Sequence, residues 1–310
     1  MVRIQFSIGL QYEVGFPGAD FIFNIQASRT RQQTVIAEQL TLSQSLPTLA
    51  HTDAITHARS LRVSALPGPF NVHYQATVDL NHHVANPAQV PEVPVASLPP
   101  EVLPYIYPSR YCQSDRLGNL AMSEFGALPH GYNRVLAVQK WVQSQVRFKS
   151  NTSNSMTSAI DTLTDRVGVC RDFAHLMIAV CRALNIPARF TTGIDFGADP
   201  ILGPPDFHAY VEAYLGNRWY MFDPSGTAIP MGFIRIGTGA RCRRCLVCHH
   251  FWQRGLTGSA NQDCSPHTAQ HRLAATRSPH RSTVHRRAGV STPRGCARHF
   301  SRCTKRHRRV

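Results

Sequence analysis

Apolar and polar positions alternate from the first residues of the chain. Ile4, Phe6, Ile8, Leu10 and Tyr12 are separated by mostly polar neighbours, a period of two that predicts a half-buried strand. Shorter segments of the same kind follow between turn residues at 21–25, 34–37, 61–63 and 72–78. Residues 1–85 are therefore expected to form a small all-β domain. Residues 86–108 are rich in proline, with Pro99-Pro100 among them, and read as a linker that cannot hold regular structure. Beyond it the period becomes helical. A short helix is expected at 120–125 and a longer one at 133–146, where Val135, Val138, Trp141, Val142 and Val146 share a face. A further helical turn is expected at 158–163. The most amphipathic segment is 170–184, with Phe173, Ala174, Met177, Val180, Cys181 and Leu184 in one apolar stripe and Pro187 as its stop. Strands at 188–194, 208–215 and 218–222 complete the pattern, the last two joined by the hairpin signal Gly216-Asn217. Helices followed by strands, without strict alternation, indicate an α+β domain over residues 109–238.

No run of residues is apolar enough to span a bilayer, so no membrane association is expected. The start of the chain alternates like a strand and has no continuous apolar stretch of a signal peptide, which makes a cytoplasmic location the expectation. The formal charge of +15 suggests an anionic partner until it is placed along the chain. Residues 1–238 carry 17 Lys and Arg against 17 Asp and Glu; residues 239–310 hold the other 16 basic residues, the single acid Asp263, and six of the nine cysteines. That tail contains no Ile, Tyr, Met or Glu and has no apolar period, so it is not expected to build a core. The change is abrupt, and a one-base shift in a GC-rich gene would yield this mixture; the tail is expected to come from the wrong reading frame. Cys242, Cys245, Cys248, His249 and His250 have zinc-ligand spacing, and Cys245 to His249 match the C-x-x-C-H haem pattern. In a segment this rich in Cys and His such spacings arise by chance, so no metal or cofactor is assigned. Its Arg-rich stretches would hold phosphates without sequence preference, so no specific nucleic-acid partner is assigned either.

The residues that carry chemistry lie before the break. Cys170 follows Gly168-Val169 at the expected start of the 170–184 helix, where unsatisfied backbone N–H groups and the helix dipole favour a thiolate and Arg171 adds positive charge. The same N–H groups offer half of an oxyanion hole. If Gly216-Asn217 is the whole hairpin loop, Leu215 pairs with Arg218 and Tyr210 falls opposite Asp223. His208, two residues from Tyr210, is then the diagonal neighbour of Asp223 on the same sheet face. A thiol, a base and an orienting carboxylate are the kit for covalent acyl transfer, so Cys170, His208 and Asp223 are the candidate catalytic residues. Asp172 and His175 are alternatives on the first turns of the helix, expected to support the site or pack near it, and Cys181, on its apolar stripe, is assigned to the core.

At these residues the chain resembles the bacterial transglutaminase-like superfamily. The resemblance lies in Gly168-Val169-Cys170-Arg171-Asp172-Phe173-Ala174-His175, in His208-Ala209-Tyr210-Val211-Glu212 and in Phe222-Asp223-Pro224-Ser225, in that order. The strand-rich first part resembles the β domain that precedes the core in many bacterial members. The resemblance implies a papain-like core with Cys170 as nucleophile, His208 as base and Asp223 as orienter. It implies a peptide or protein substrate, attacked at an amide through a thioester that passes to water or to an amine. Hydrolysis is the favoured outcome, because the sequence shows no pocket specialised to exclude water. The competing expectation is a catalytically impaired binding or scaffold protein on the same fold. Family members continue with further sheet where the tail stands here, so an unpaired sheet edge is expected at that point.

Overall fold

The computed structural model describes residues 1–195, 207–227, 232–239, 248–251 and 273–275. The first part is a β-sandwich. Strands β1 (Val2–Val14), β2 (Ala19–Phe23), β3 (Gln33–Leu42), β4 (Thr48–Thr52), β5 (Arg59–Ala65) and β6 (Gly68–Leu80) divide between two antiparallel sheets. The alternation read at the start of the chain is the buried face of β1: Ile4, Phe6, Ile8 and Leu10 are each at most 2% exposed. They pack with Phe21, Phe23, Leu61, Val63, Phe70 and Tyr74 of the other strands. β1 pairs along its whole length with β6, from Val2 opposite Leu80 to Val14 opposite Gly68. β4 escapes the sequence reading because all five of its residues are exposed, leaving no apolar period to detect. Two segments of the basic tail, β13 (Cys248–Phe251) and β14 (Leu273–Ala275), pair with β2 and β1 at the sheet edges.

The proline-rich segment is not structureless. It contains three 3-10 turns, Pro87–Gln89, Val95–Ser97 and Leu103–Tyr105, and its Leu98 and Val102 bury against Tyr214. Glu92 accepts hydrogen bonds from Arg134 Nε at 2.7 Å and from the Gly131 N–H at 2.9 Å. Proline forbids long helices and ladders because it lacks a donor, but it allows short turns whose side chains still find burial.

Helices α1 (Gly118–Phe125), α2 (Tyr132–Gln145), α3 (Ala159–Asp165) and α4 (Cys170–Ala183) and the sheet β11-β10-β9-β12 form the second core. Its strands are β9 (Ala188–Asp195), β10 (Phe207–Leu215), β11 (Arg218–Phe222) and β12 (Phe233–Gly239). The fold is α+β, with an N-terminal antiparallel β region followed by helices on a sheet. The minimal strands β7 (Arg147–Phe148) and β8 (Val167–Gly168) pair in parallel just before α4. α4 is buried all round from Asp172 to Arg182, well beyond the expected stripe, because α1, α2 and α3 cover it on one side and β9 and β10 on the other. The β9 and β10 face that meets it carries Ala188, Phe190, Ala209, Val211, Ala213 and Leu215.

β12 lies at the edge of this sheet, where an unpaired edge is expected. Instead the sandwich covers it: the Ser28 N–H and Gln33 Nε2 donate to the Arg235 carbonyl at 2.9 and 2.8 Å, and the Arg235 N–H donates to Gln33 Oε1 at 2.8 Å. Ile194, Ile234 and Ile236 add their side chains to the sandwich core. This sheet is thereby anchored on the β domain. Gly193, in the middle of this junction, has no room for a side chain. A Cβ there would stand 2.0 Å from the Ile234 carbonyl oxygen and 2.5 Å from the Phe233 ring. Gly193→Ala is expected to destabilise the fold by about 2–3 kcal/mol, because backbone rather than a flexible side chain must yield. Urea denaturation of the two proteins measures this as a lower midpoint.

Candidate active site

Cys170 is the first residue of α4, immediately after the N-cap Val169. The N-cap is fixed from inside the helix: Asp172 Oδ2 accepts the Val169 N–H at 2.8 Å. Gly168 permits this approach, since a Cβ there would lie 2.8 Å from Asp172 Cβ. The N–H groups of Cys170 and Arg171 occupy the first helical positions, which have no acceptor within the helix. Arg171 differs from the expectation. Its guanidinium is engaged by Asp172 Oδ1 at 3.3 Å, Ser153 Oγ at 3.0 Å and the Asn154 carbonyl at 2.8 Å, so it braces the helix start and the 153–154 loop. Asp172→Ala is expected to cost about 1–2 kcal/mol, the worth of a helix cap, and to slow alkylation of Cys170 severalfold by loosening its backbone. Thermal unfolding and mass-mapped labelling of this variant check the two effects.

The hairpin adopts the expected register. Gly216 and Asn217 both have positive φ, +51° and +60°, as a two-residue type I′ turn requires, and Leu215 pairs with Arg218 through to Val211 with Phe222. Asp223 follows directly and lies diagonal to His208. His208 Nε2 is 3.2 Å from Asp223 Oδ1. That oxygen also accepts the Ser225 N–H at 3.0 Å and the Ser225 hydroxyl at 2.6 Å, while Gln143 Nε2 donates to the Asp223 carbonyl at 3.2 Å. Ser225 Oγ itself lies 3.3 Å from His208 Nε2. The carboxylate is thus held by two hydrogen bonds from Ser225, and the backbone behind it by Gln143, where it meets the imidazole.

His208 is also hydrogen-bonded with the side chain of Cys170, so helix start and hairpin meet at one ring. Burial alone would push its pKa down. The hydrogen bonds to Asp223 and Cys170 and the negative charges of Cys170 and Asp195 prevail and raise it to about 10. The surroundings therefore favour the protonated ring, the form His208 takes on accepting a proton. A second carboxylate, Asp195, places Oδ2 3.5 Å from His208 Nδ1 and accepts a hydrogen bond from the Tyr210 hydroxyl.

The other candidate residues on and beside α4 pack around the site. His175 is 1% exposed, stacked on Tyr111 with ring centroids 5.2 Å apart, and both its nitrogens lack a hydrogen-bond partner; burial pulls its pKa down to about 3. It is an uncharged packing residue. Cys181 and Cys112 are fully buried, and burial pushes their thiols up to about 12 and about 11, whereas Cys170 is partly exposed. The zinc-spaced cysteines and histidines of the tail lie outside the described residues or have only their backbone described. Among the described residues, no three Cys, His, Asp or Glu side chains converge as metal ligands would.

Asp195, Tyr210 and Ser225 were not singled out from the sequence as members of the site. Tyr210 falls opposite Asp223 in the expected register, which puts it on the same sheet face as His208. Asp195 was not legible, because residues 196–206 separate it from the His208 strand, a connection too long for a turn to fix the register.

Comparison with known proteins places these residues in context. The transglutaminase-like superfamily matches residues 122–224, a span that includes Cys170, His208 and Asp223, and the bacterial transglutaminase N-terminal domain matches residues 2–101. A candidate cysteine protease from Cytophaga hutchinsonii is 37% identical in sequence and superposes with a TM-score of 0.79 over 90% of this chain and 92% of its own. An uncharacterised protein of Mycobacterium leprae (strain TN) is 32% identical over 110 residues, 34% of this chain and 39% of that protein. The chain thus spans less than half the length of that curated relative.

Proposed function

Because the chain belongs to the transglutaminase-like superfamily, we propose that it is a cysteine-dependent enzyme that cleaves or transfers amide bonds of peptides or proteins. Cys170 is the nucleophile, His208 the acid–base group and Asp223 its orienter. The observation that carries the reading is the single imidazole that bonds both the Cys170 side chain and Asp223 Oδ1.

In the first half-reaction the Cys170 thiol proton passes to His208, and the sulfur bonds to the substrate carbonyl carbon. The negative oxygen so formed faces the free N–H groups at the start of α4. When the carbon–nitrogen bond breaks, the proton on His208 goes to the departing amine and a thioester remains on Cys170. In the second half-reaction water, or an amine, gives a proton to His208 and attacks the thioester. The carbon–sulfur bond breaks, and the thiol takes the proton back. Hydrolysis is the favoured outcome, since the partly exposed thiol is open to water.

Iodoacetamide labelling near neutral pH, mapped by mass spectrometry, separates this enzyme from an inert scaffold of the same fold. Cys170 is expected to alkylate about 10²-fold faster than Cys112 and Cys181, and to lose that advantage in His208→Ala. Equal, slow labelling of all three would favour the scaffold.

A further inference from the structure

We propose that Asp195 is a positioning residue for His208, a second carboxylate that, with Tyr210, holds the imidazole from the nitrogen Asp223 does not use. This rests on the catalytic reading of His208 given above. The two carboxylates reach the ring from the two strands that flank β10. Asp223 follows β11 and meets Nε2; Asp195 ends β9 and meets Nδ1, at 3.2 and 3.5 Å respectively. The register explains how. His208 pairs with Gly193, so Asp195 stands diagonal to it on one neighbour as Asp223 does on the other. Gly193 has no side chain to come between the ring and Asp195.

Tyr210 completes the arrangement. Its hydroxyl donates to Asp195 Oδ1, which leaves Oδ2 for His208, and its ring meets the His208 ring edge-on with centroids 4.7 Å apart. With Nε2 taken by Asp223, Nδ1 is the nitrogen left to exchange a proton with Cys170. A carboxylate beside Nδ1 stabilises the cationic ring once the thiol has given up its proton. The hydrogen bond from Tyr210 makes Asp195 a poorer acceptor of that proton, so the proton stays on the ring.

Asp195 is 2% exposed, and among the described residues the cation beside it is His208. The groups facing it are His208 and Tyr210 on β10, Asp223 beyond β11 and Cys170 through the ring. On β12 its cross-strand partner is Phe233, and the nearby Arg235 is bound to Glu212. Burial raises the Asp195 pKa, the Asp223 charge adds to this, and the charge of His208 and the Tyr210 hydrogen bond partly oppose it; the result is about 6.

The rate of Cys170 alkylation as a function of pH tests the role without any known substrate. The wild type is expected to lose rate toward acid with an inflection near 6. In Asp195→Asn that inflection disappears and the rate at pH 7 falls about tenfold. The melting temperature at neutral pH stays the same or rises, since a carboxylate with a raised folded pKa has lost its stabilising contribution by the time pH passes that value. Tyr210→Phe, which removes only a hydroxyl, is expected to move the inflection upward. A rate and profile unchanged within twofold in Asp195→Asn would overturn the proposal. So would a loss of rate that follows a loss of melting temperature with the profile intact, which marks a merely structural residue. If wild-type Cys170 is not selectively reactive at all, the catalytic reading itself fails; if Cys170 is fast and His208-dependent but Asp195→Asn is silent, this inference fails alone.

Discussion

Cys170→Ala is expected to reduce turnover of any amide or peptide substrate by about 10⁴-fold or more, while the protein folds and melts almost as before. The two halves of the expectation come from different facts. The activity falls because every covalent step passes through the sulfur, and the other thiols among the described side chains cannot replace it: Cys112 and Cys181 are sealed in the core, with thiols that burial holds up at about 11 and about 12. Stability changes by less than about 1 kcal/mol because Cys170 is partly exposed and Ala suits a helix as well as Cys. Activity retained in this variant, with melting unchanged, would remove Cys170 from the mechanism.

His208→Ala is expected to cost about 10³–10⁴-fold in kcat/KM, and Asp223→Asn about 10²–10⁴-fold. His208 is both the acceptor of the thiol proton and the donor to the leaving amine, so its loss affects each half-reaction. Asp223→Asn preserves shape but removes the charge that favours the protonated ring. The pH dependence of stability reports this directly. The folded pKa of His208, about 10, lies above the ordinary 6.5, so its contribution is fully present below pH 6.5 and is lost as pH rises through about 10. In Asp223→Asn the decline of stability between those pH values should be shallower. Urea midpoints measured at pH 6, 8 and 10 check it, and parallel curves for the two proteins would contradict the assigned coupling.

The site was legible in the sequence where local signals fix geometry. Gly216-Asn217 sets a two-residue turn, a turn sets a register, and a register of period two places His208 beside Asp223. The helix start at Cys170 was likewise marked by Gly168 before it and an apolar pattern running to Pro187. What was not legible depends on contacts distant in sequence. Asp195 joins the site through the β9–β10 pairing, and β12, whose Phe233–Gly239 segment includes two glycines, becomes a strand through β9 and the Ser28 and Gln33 bonds. The proline-rich segment was read as a linker because its composition excludes long elements; its burial depends on partners such as Arg134 and Tyr214.

The central claim is that a thioester forms on Cys170 with His208 as its proton carrier. Reaction with an activated peptide ester, quenched in acid and mapped by mass spectrometry, tests it most directly. The account predicts an acyl adduct on Cys170, released by hydroxylamine, absent in Cys170→Ala and strongly reduced in His208→Ala. Turnover of the ester with no adduct on Cys170, or an adduct that forms equally without His208, would contradict it.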